Sequence, residues 1–212
     1  MTRILLAGAS GMVGREVLRQ ALADPRIGEV VAPTRRPLAA SANLRNPRVD
    51  FDALPADAAW WEVDAVICTL GTTIREAGSQ AAFRKVDLDY PLAVACHALA
   101  HGASTFVLTS SSGANADSRI FYSRTKGELE HALRALAYRS LCLVRPGLLG
   151  GERERRRPLE HASMKLLGAI GPLLPRRYRV VPAEQVAGTL LRAALEAEPG
   201  VRIVESEQIG TS

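Results

Sequence analysis

"RILLAGASGMVG", residues 3 to 14, is the stretch on which the fold turns. Its first half is a short apolar run of the kind that fills a buried strand, and its second half opens a helix reaching from about Met12 to Ala23. Three glycines, at 8, 11 and 14, lie where the two halves meet. Gly8 permits a tight turn off the strand, Gly11 lets the backbone approach a pyrophosphate, and Gly14 lets the helix pack close to the sheet. The helix N-terminus presents free N–H groups and a positive dipole end to phosphates. A glycine triplet set between a strand and a helix is the context a dinucleotide-binding fingerprint requires.

Outward from that loop, short apolar runs alternate with helical patterns, which predicts βαβ units and a parallel sheet. Strands are expected at 3–8, 29–35, 48–51, 64–70, 104–110, 141–146 and 201–206. Helices are expected at 12–23, 80–101, through Tyr122, near 159–170 and at 183–197, with Pro91 kinking or dividing the second. The fold class that follows is α/β: a Rossmann-type, doubly wound, mostly parallel sheet of about seven strands. A single domain over 1–212 is expected, with 147–182 as a small C-terminal elaboration on the substrate side.

With 212 residues, 47% hydrophobic and 23% charged, the chain is globular in composition. No run nears the roughly 18 apolar residues of a membrane span, and the N-terminal apolar stretch is too short for a signal peptide. The reading is therefore a soluble, cytoplasmic protein that does not enter a membrane. Cys68, Cys96 and Cys142 have no metal-like spacing and are expected to be buried free thiols. His97, His101, His131 and His161 form no ligand cluster either, so no metal is expected. The net charge of +5 invites a nucleic-acid reading. The arginines are clustered, however, at 35–36, 152–158 and 176–177, without interleaved aromatic residues. Small anionic ligands or a solvated face explain that charge more economically than nucleic acid does.

The tip of the second strand bears on which dinucleotide binds. An NAD site places Asp or Glu there for the ribose 2′-hydroxyl, whereas this chain has Thr34, Arg35 and Arg36. Glu29 sits at the wrong end of the strand. Two guanidinium groups match a 2′-phosphate in charge and in fork geometry, so NADP(H) is favoured over NAD.

"FYSRTKGELE" places Tyr122 and Lys126 one helical turn apart, and the same face continues to Leu129, Leu133 and Leu136. The pair thus begins the inward stripe of its helix, where a lysine stem can line apolar surface with its ammonium in a cleft. With four tyrosines and three lysines in the chain, this spacing is uncommon by chance. An ammonium beside a phenol favours the phenolate and lets the tyrosine exchange a proton. Ser110 or Ser111, in "TSSSG" just upstream, offers the hydroxyl that would complete a catalytic site.

Together "GASGMVG", "TRR", "CTLGTTIREAG", "FRKVDLDYP", "TSSSGA", "FYSRTKGELE" and "LVRPGLLGGERERRRP" resemble the atypical short-chain dehydrogenase/reductases. More narrowly, they are similar to the Tat-interacting-protein oxidoreductase family and its bacterial relatives, over nearly the whole chain. That resemblance implies contacts of Ser10, Gly11, Met12 and Val13 with the pyrophosphate side, and of Arg35 and Arg36 with the 2′-phosphate. Leu70 and Gly71 would pass beside the adenosine and ribose, and Leu149 and Arg157 would close over the cofactor. It also implies Tyr122 as proton donor or acceptor and Lys126 as the group orienting the nicotinamide ribose. Where many members of the wider superfamily have asparagine in the helix after the fourth strand, this chain has Asp87.

The expected function is an NADP-dependent oxidoreductase acting on a small carbonyl/alcohol pair. The alternative implied by the resemblance is a non-catalytic, NADPH-sensing regulator that binds a protein partner. A sugar-nucleotide epimerase or dehydratase fits less well, because about 60 residues after the sixth strand are few for its substrate domain.

Overall fold

The computed structural model describes residues 1–150 and 180–210. The opening apolar run forms β1 (Thr2–Ala7), and the helix after the glycine loop is α1 (Met12–Ala23). Then come β2 (Ile27–Val31), the two-residue β3 (Leu44–Arg45), β4 (Ala65–Cys68) and a short α2 (Ile74–Ala77). Next are α3 (Gln80–Arg84), a π-helical turn (Lys85–Asp89), α4 (Tyr90–Ala100), β5 (Thr105–Thr109), α5 (Phe121–Ala135) and β6 (Ser140–Arg145). The last described elements are β7 (Leu148–Gly150), β8 (Val180–Pro182), α6 (Ala183–Glu196) and β9 (Gly200–Glu205).

Seven strands form one all-parallel sheet in the order β3-β2-β1-β4-β5-β6-β9, as the alternation predicted. Strands buried on both faces read as near-continuous apolar runs, and β4 and β5 have no exposed residue. On one face Ile4, Leu6, Ile67 and Val107 pack with Val13 and Val17 of α1 and Leu190 of α6. On the other Leu5, Val66, Phe106 and Leu108 pack with Val94 of α4 and Leu129 and Leu133 of α5. The order in which strands are added to the sheet reverses between β1 and β4, and the carboxyl ends of such neighbouring strands form the crevice where open α/β sheets take ligands.

Three local expectations are corrected. The second strand ends at Val31 rather than at 35, and the third lies at Leu44–Arg45 rather than 48–51. Pro33 and Pro47 have no N–H to donate, so the ladder breaks and resumes only as a single bridge between Thr34 and Arg48. Pro91 does divide the helical path, standing at the start of α4 with the π turn between it and α3. The clash of its ring with the carbonyl four residues back falls at Asp87, and the chain relieves it by widening that turn into the π segment. Finally, Cys68 and Cys142 are buried as expected, but Cys96 is exposed on the outer side of α4. β7 and β8 pair with each other apart from the main sheet. The expected helix near 159–170 and most of the 147–182 elaboration lie outside the described residues.

Candidate functional site

The glycine loop is shaped by contacts that leave no room for side chains. Gly8 has φ +93°, and a Cβ there would lie 2.7 Å from the backbone carbon and the Oγ1 of Thr69, at the end of β4. Gly11 caps α1 with no side-chain cap, and its N–H donates to the Gly8 carbonyl at 2.9 Å. A Cβ on Gly14 would lie 2.1 Å from that same carbonyl oxygen, so α1 sits hard against the strand end. Met12 and Val13 follow in the first turn, whose N–H groups have no intrahelical acceptor. A helix start without a side-chain cap, entered from a glycine loop, fits a pyrophosphate.

Beside it, the loop after β2 carries Arg35 and Arg36, both exposed. Its backbone is pinned: the Thr34 hydroxyl donates to the Arg36 carbonyl at 2.6 Å, and the Asn46 amide donates to Ala32 O and to Thr34 Oγ1. Among the described residues neither arginine makes an ion pair. Glu29, by contrast, is taken by Arg3 at 2.9 Å. Two free guanidinium groups on a fixed loop suit a phosphate better than a ribose hydroxyl.

On the other side of the crevice, Lys126 is buried and its Nζ lies 2.7 Å from Asp87 Oδ1. The second carboxylate oxygen of Asp87 accepts the Thr72 N–H at 2.8 Å. A Cβ on Gly71 would fall 3.4 Å from Asp87 Oδ1 and 3.8 Å from Lys126 Nζ, so the backbone after β4 runs directly past the pair. Burial pulls the Lys126 pKa down, but the charge of Asp87, and then the nearness of Tyr122, outweigh it and hold it above the ordinary lysine value. Tyr122 is half-buried one turn earlier on α5, its ring 5.6 Å from that of Phe83. The structure thus brings Gly71, Leu70, Tyr122 and Lys126 to one place. It adds Asp87, which the sequence marked only as a departure from a wider pattern.

The two candidate serines separate. Ser110 is buried and its hydroxyl donates to Glu130 Oε1 at 2.6 Å. Glu130, 1% exposed, also receives Arg145 through Nε at 2.9 Å and Nη2 at 2.6 Å, and Arg145 reaches on to Glu205 of β9 at 2.9 Å. Ser110 is therefore part of a buried tie between β5, α5, β6 and β9. Ser111 is only half-buried, and its hydroxyl makes one long bond, 3.3 Å, to the Ser112 carbonyl. The signal for Glu130 was present in "KGELE": it stands four residues after Lys126, on the same helix face. Gly127 has a similar unread role. A Cβ there would lie 2.1 Å from Ala116 N, so only glycine lets the serine loop lie flat on α5. Leu149 is half-buried in β7, and Arg157 lies outside the described residues.

Residues 8–166 match a family model described as NAD(P)H-binding. Protein HTATIP2 of Rattus norvegicus is 33% identical over 212 residues, covering 97% of this chain and 87% of that protein. The mitochondrial protein fmp52 of Emericella nidulans is 33% identical over 180 residues, covering 81% and 77%. Among solved structures, MoeE5 in complex with UDP-glucose and NAD superposes with a TM-score of 0.73 at 19% identity, covering 95% of this chain and 74% of that one. WbmH of Bordetella bronchiseptica in complex with NAD+ gives 0.70 at 16% identity, covering 97% and 76%. These structures share the fold. The cytoplasmic location expected from the sequence is overturned by the fungal relatives, which are named as mitochondrial proteins. The chain belongs to the NAD(P)H-binding family, alongside HTATIP2 and the Fmp52 proteins.

Proposed function

We propose that the chain is an NADP(H)-dependent oxidoreductase that interconverts a small carbonyl compound and its alcohol. The observation that carries this reading is the buried Lys126–Asp87 pair beneath Tyr122, at the carboxyl end of the sheet and against Gly71. A cation buried this deeply beside a half-exposed phenol is expected at a site of proton transfer. Bound NADPH would supply the hydride. Tyr122 would exchange the proton with the substrate oxygen, and Ser111, rather than the engaged Ser110, would hold that oxygen. Lys126, fixed by Asp87, would donate to the nicotinamide ribose, while Arg35 and Arg36 would take the 2′-phosphate. A titration with NADPH and NADH tests the cofactor, and NADPH oxidation over a carbonyl panel by the wild type and Tyr122→Phe tests the chemistry. Preference for NADPH with turnover that Tyr122→Phe abolishes is the expected result. Equal binding of the two cofactors refutes the NADP assignment, and turnover unchanged in Tyr122→Phe refutes the role of Tyr122.

One observation favours a second reading, in which NADPH binding without turnover governs association with a protein partner. Asp87 already neutralises Lys126, which leaves the phenol less help from the ammonium. That reading expects NADPH binding with no turnover on any substrate.

A further inference from the structure

Among the described residues, three arginines without an ion pair lie on or beside the two loops that leave β1 and β2. Arg3, Arg19, Arg26, Arg84, Arg134 and Arg145 each hold a carboxylate. Arg15, Arg35 and Arg36 hold none among the described residues. β1 and β2 are adjacent and parallel, so the glycine loop leaving β1 and the arginine loop leaving β2 emerge side by side at the same edge of the sheet.

Arg15 is the fourth residue of α1, directly after Gly14, and its side chain turns back toward the loop ahead of the helix. Its Nε donates to the Ser10 carbonyl at 3.0 Å, which folds the guanidinium back over the glycine loop. That bond uses one donor, and the two terminal amino groups have no partner among the described residues. The nearest carboxylate in sequence, Glu16, is occupied by Arg19 and Gln20. The result is a planar cation with its stem anchored, its fork open and no competing acid. Such an arrangement is pre-organised for a phosphate, because less side-chain freedom is lost on binding.

We infer that Arg15 is a third cation for the adenosine 2′-phosphate, closing from the glycine-loop side the site that Arg35 and Arg36 form from the other. Ser10 lies in the loop between β1 and α1, and β2 is the parallel neighbour of β1, so a group anchored to the Ser10 carbonyl stands near the loop that carries Arg35 and Arg36. The pyrophosphate is left to the first-turn N–H groups. A 2′-phosphate carries close to two negative charges at neutral pH, and three guanidinium groups, one anchored at its stem and two on a pinned loop, are available to meet it. The inference rests on the NADP reading above and adds a residue to it.

The test is calorimetric titration of NADPH and NADH into the wild type, Arg15→Ala, Arg15→Lys and the double variant Arg35→Ala/Arg36→Ala. Thermal unfolding serves as the folding control, since Arg15 is exposed and its removal empties no core. Loss of one charge-assisted contact predicts NADPH binding weakened about tenfold or more in Arg15→Ala. NADH binding should stay within about twofold, and Arg15→Lys should recover part of the loss because a lysine keeps the charge but not the fork. If the wild type prefers NADPH and the double variant loses that preference while Arg15→Ala keeps it, the role of Arg15 is refuted and the NADP reading stands. If Arg15→Ala weakens both cofactors equally, the residue serves the pyrophosphate and the inference fails. A wild type that binds NADH as well as NADPH fails the NADP reading itself.

Discussion

Replacing Asp87 with asparagine keeps the shape of the side chain and its acceptor for the Thr72 N–H, but removes the only carboxylate seen against Lys126 among the described residues. In the native protein the two side chains are 5% and 1% exposed, and their charged atoms are 2.7 Å apart. Removing one partner of so deeply buried a pair leaves an uncompensated charge and costs about 3–5 kcal/mol. Lys126→Met should cost less, because the stranded carboxylate keeps the Thr72 N–H at 2.8 Å. The double variant carries no buried charge, so it should be more stable than the sum of the two losses by at least about 1 kcal/mol. Urea unfolding of all four proteins at neutral pH measures this coupling. The pH dependence supplies a second check. The folded pKa of Lys126 is raised above the ordinary 10.5, so its stabilising contribution is complete below about that pH. It is lost as pH rises through the higher folded value. In Asp87→Asn desolvation loses its largest opponent, the folded pKa falls, and the deficit relative to wild type should shrink as the solution becomes alkaline. Strict additivity of the single changes, within about 0.5 kcal/mol, would refute the claim that the pair acts as a unit.

Further expectations concern neighbouring parts of the site. Gly14→Ala would force a Cβ to within 2.1 Å of the Gly8 carbonyl, which should cost about 1–3 kcal/mol or more in urea unfolding and should weaken NADPH binding. Glu130→Ala leaves Arg145 with Glu205 alone and the Ser110 hydroxyl without its acceptor, so a loss of about 2–3 kcal/mol in thermal or urea unfolding is expected, with a smaller one in Glu130→Gln. Ser110→Ala removes a buried donor and should destabilise by about 1 kcal/mol. Ser111→Ala should leave stability within about 0.5 kcal/mol while lowering turnover; the reverse pattern would exchange the roles of the two serines.

Much of the architecture was legible because its signals are local. An apolar strand, a glycine triplet and an amphipathic helix lie within residues 3–23, and that order admits few alternatives to a parallel βαβ fold. The inward placement of Lys126 followed from helical spacing with Leu129 and Leu133, and all three are buried. The edge strand was misplaced because its pairing is decided by which backbone N–H groups Pro33 and Pro47 remove, over a stretch with little hydrophobic pattern.

What the sequence by itself determined is the fold, the glycine cradle and the identity of the residues at the crevice, since each depends on spacing along one element or on one loop. Only the tertiary structure decided the electrostatics among them. Asp87 lies 39 positions before Lys126, and Ser110, Glu130, Arg145 and Glu205 come from the end of β5 and from three further elements. No periodicity links such residues. They meet because β4, β5, β6 and β9 align in one parallel register and the widened turn ahead of Pro91 buries Asp87 beside Lys126. Burial is what makes those meetings matter: away from water an unpaired charge is costly, so each carboxylate that folds inside settles which lysine, arginine or serine is held and which remains free to act.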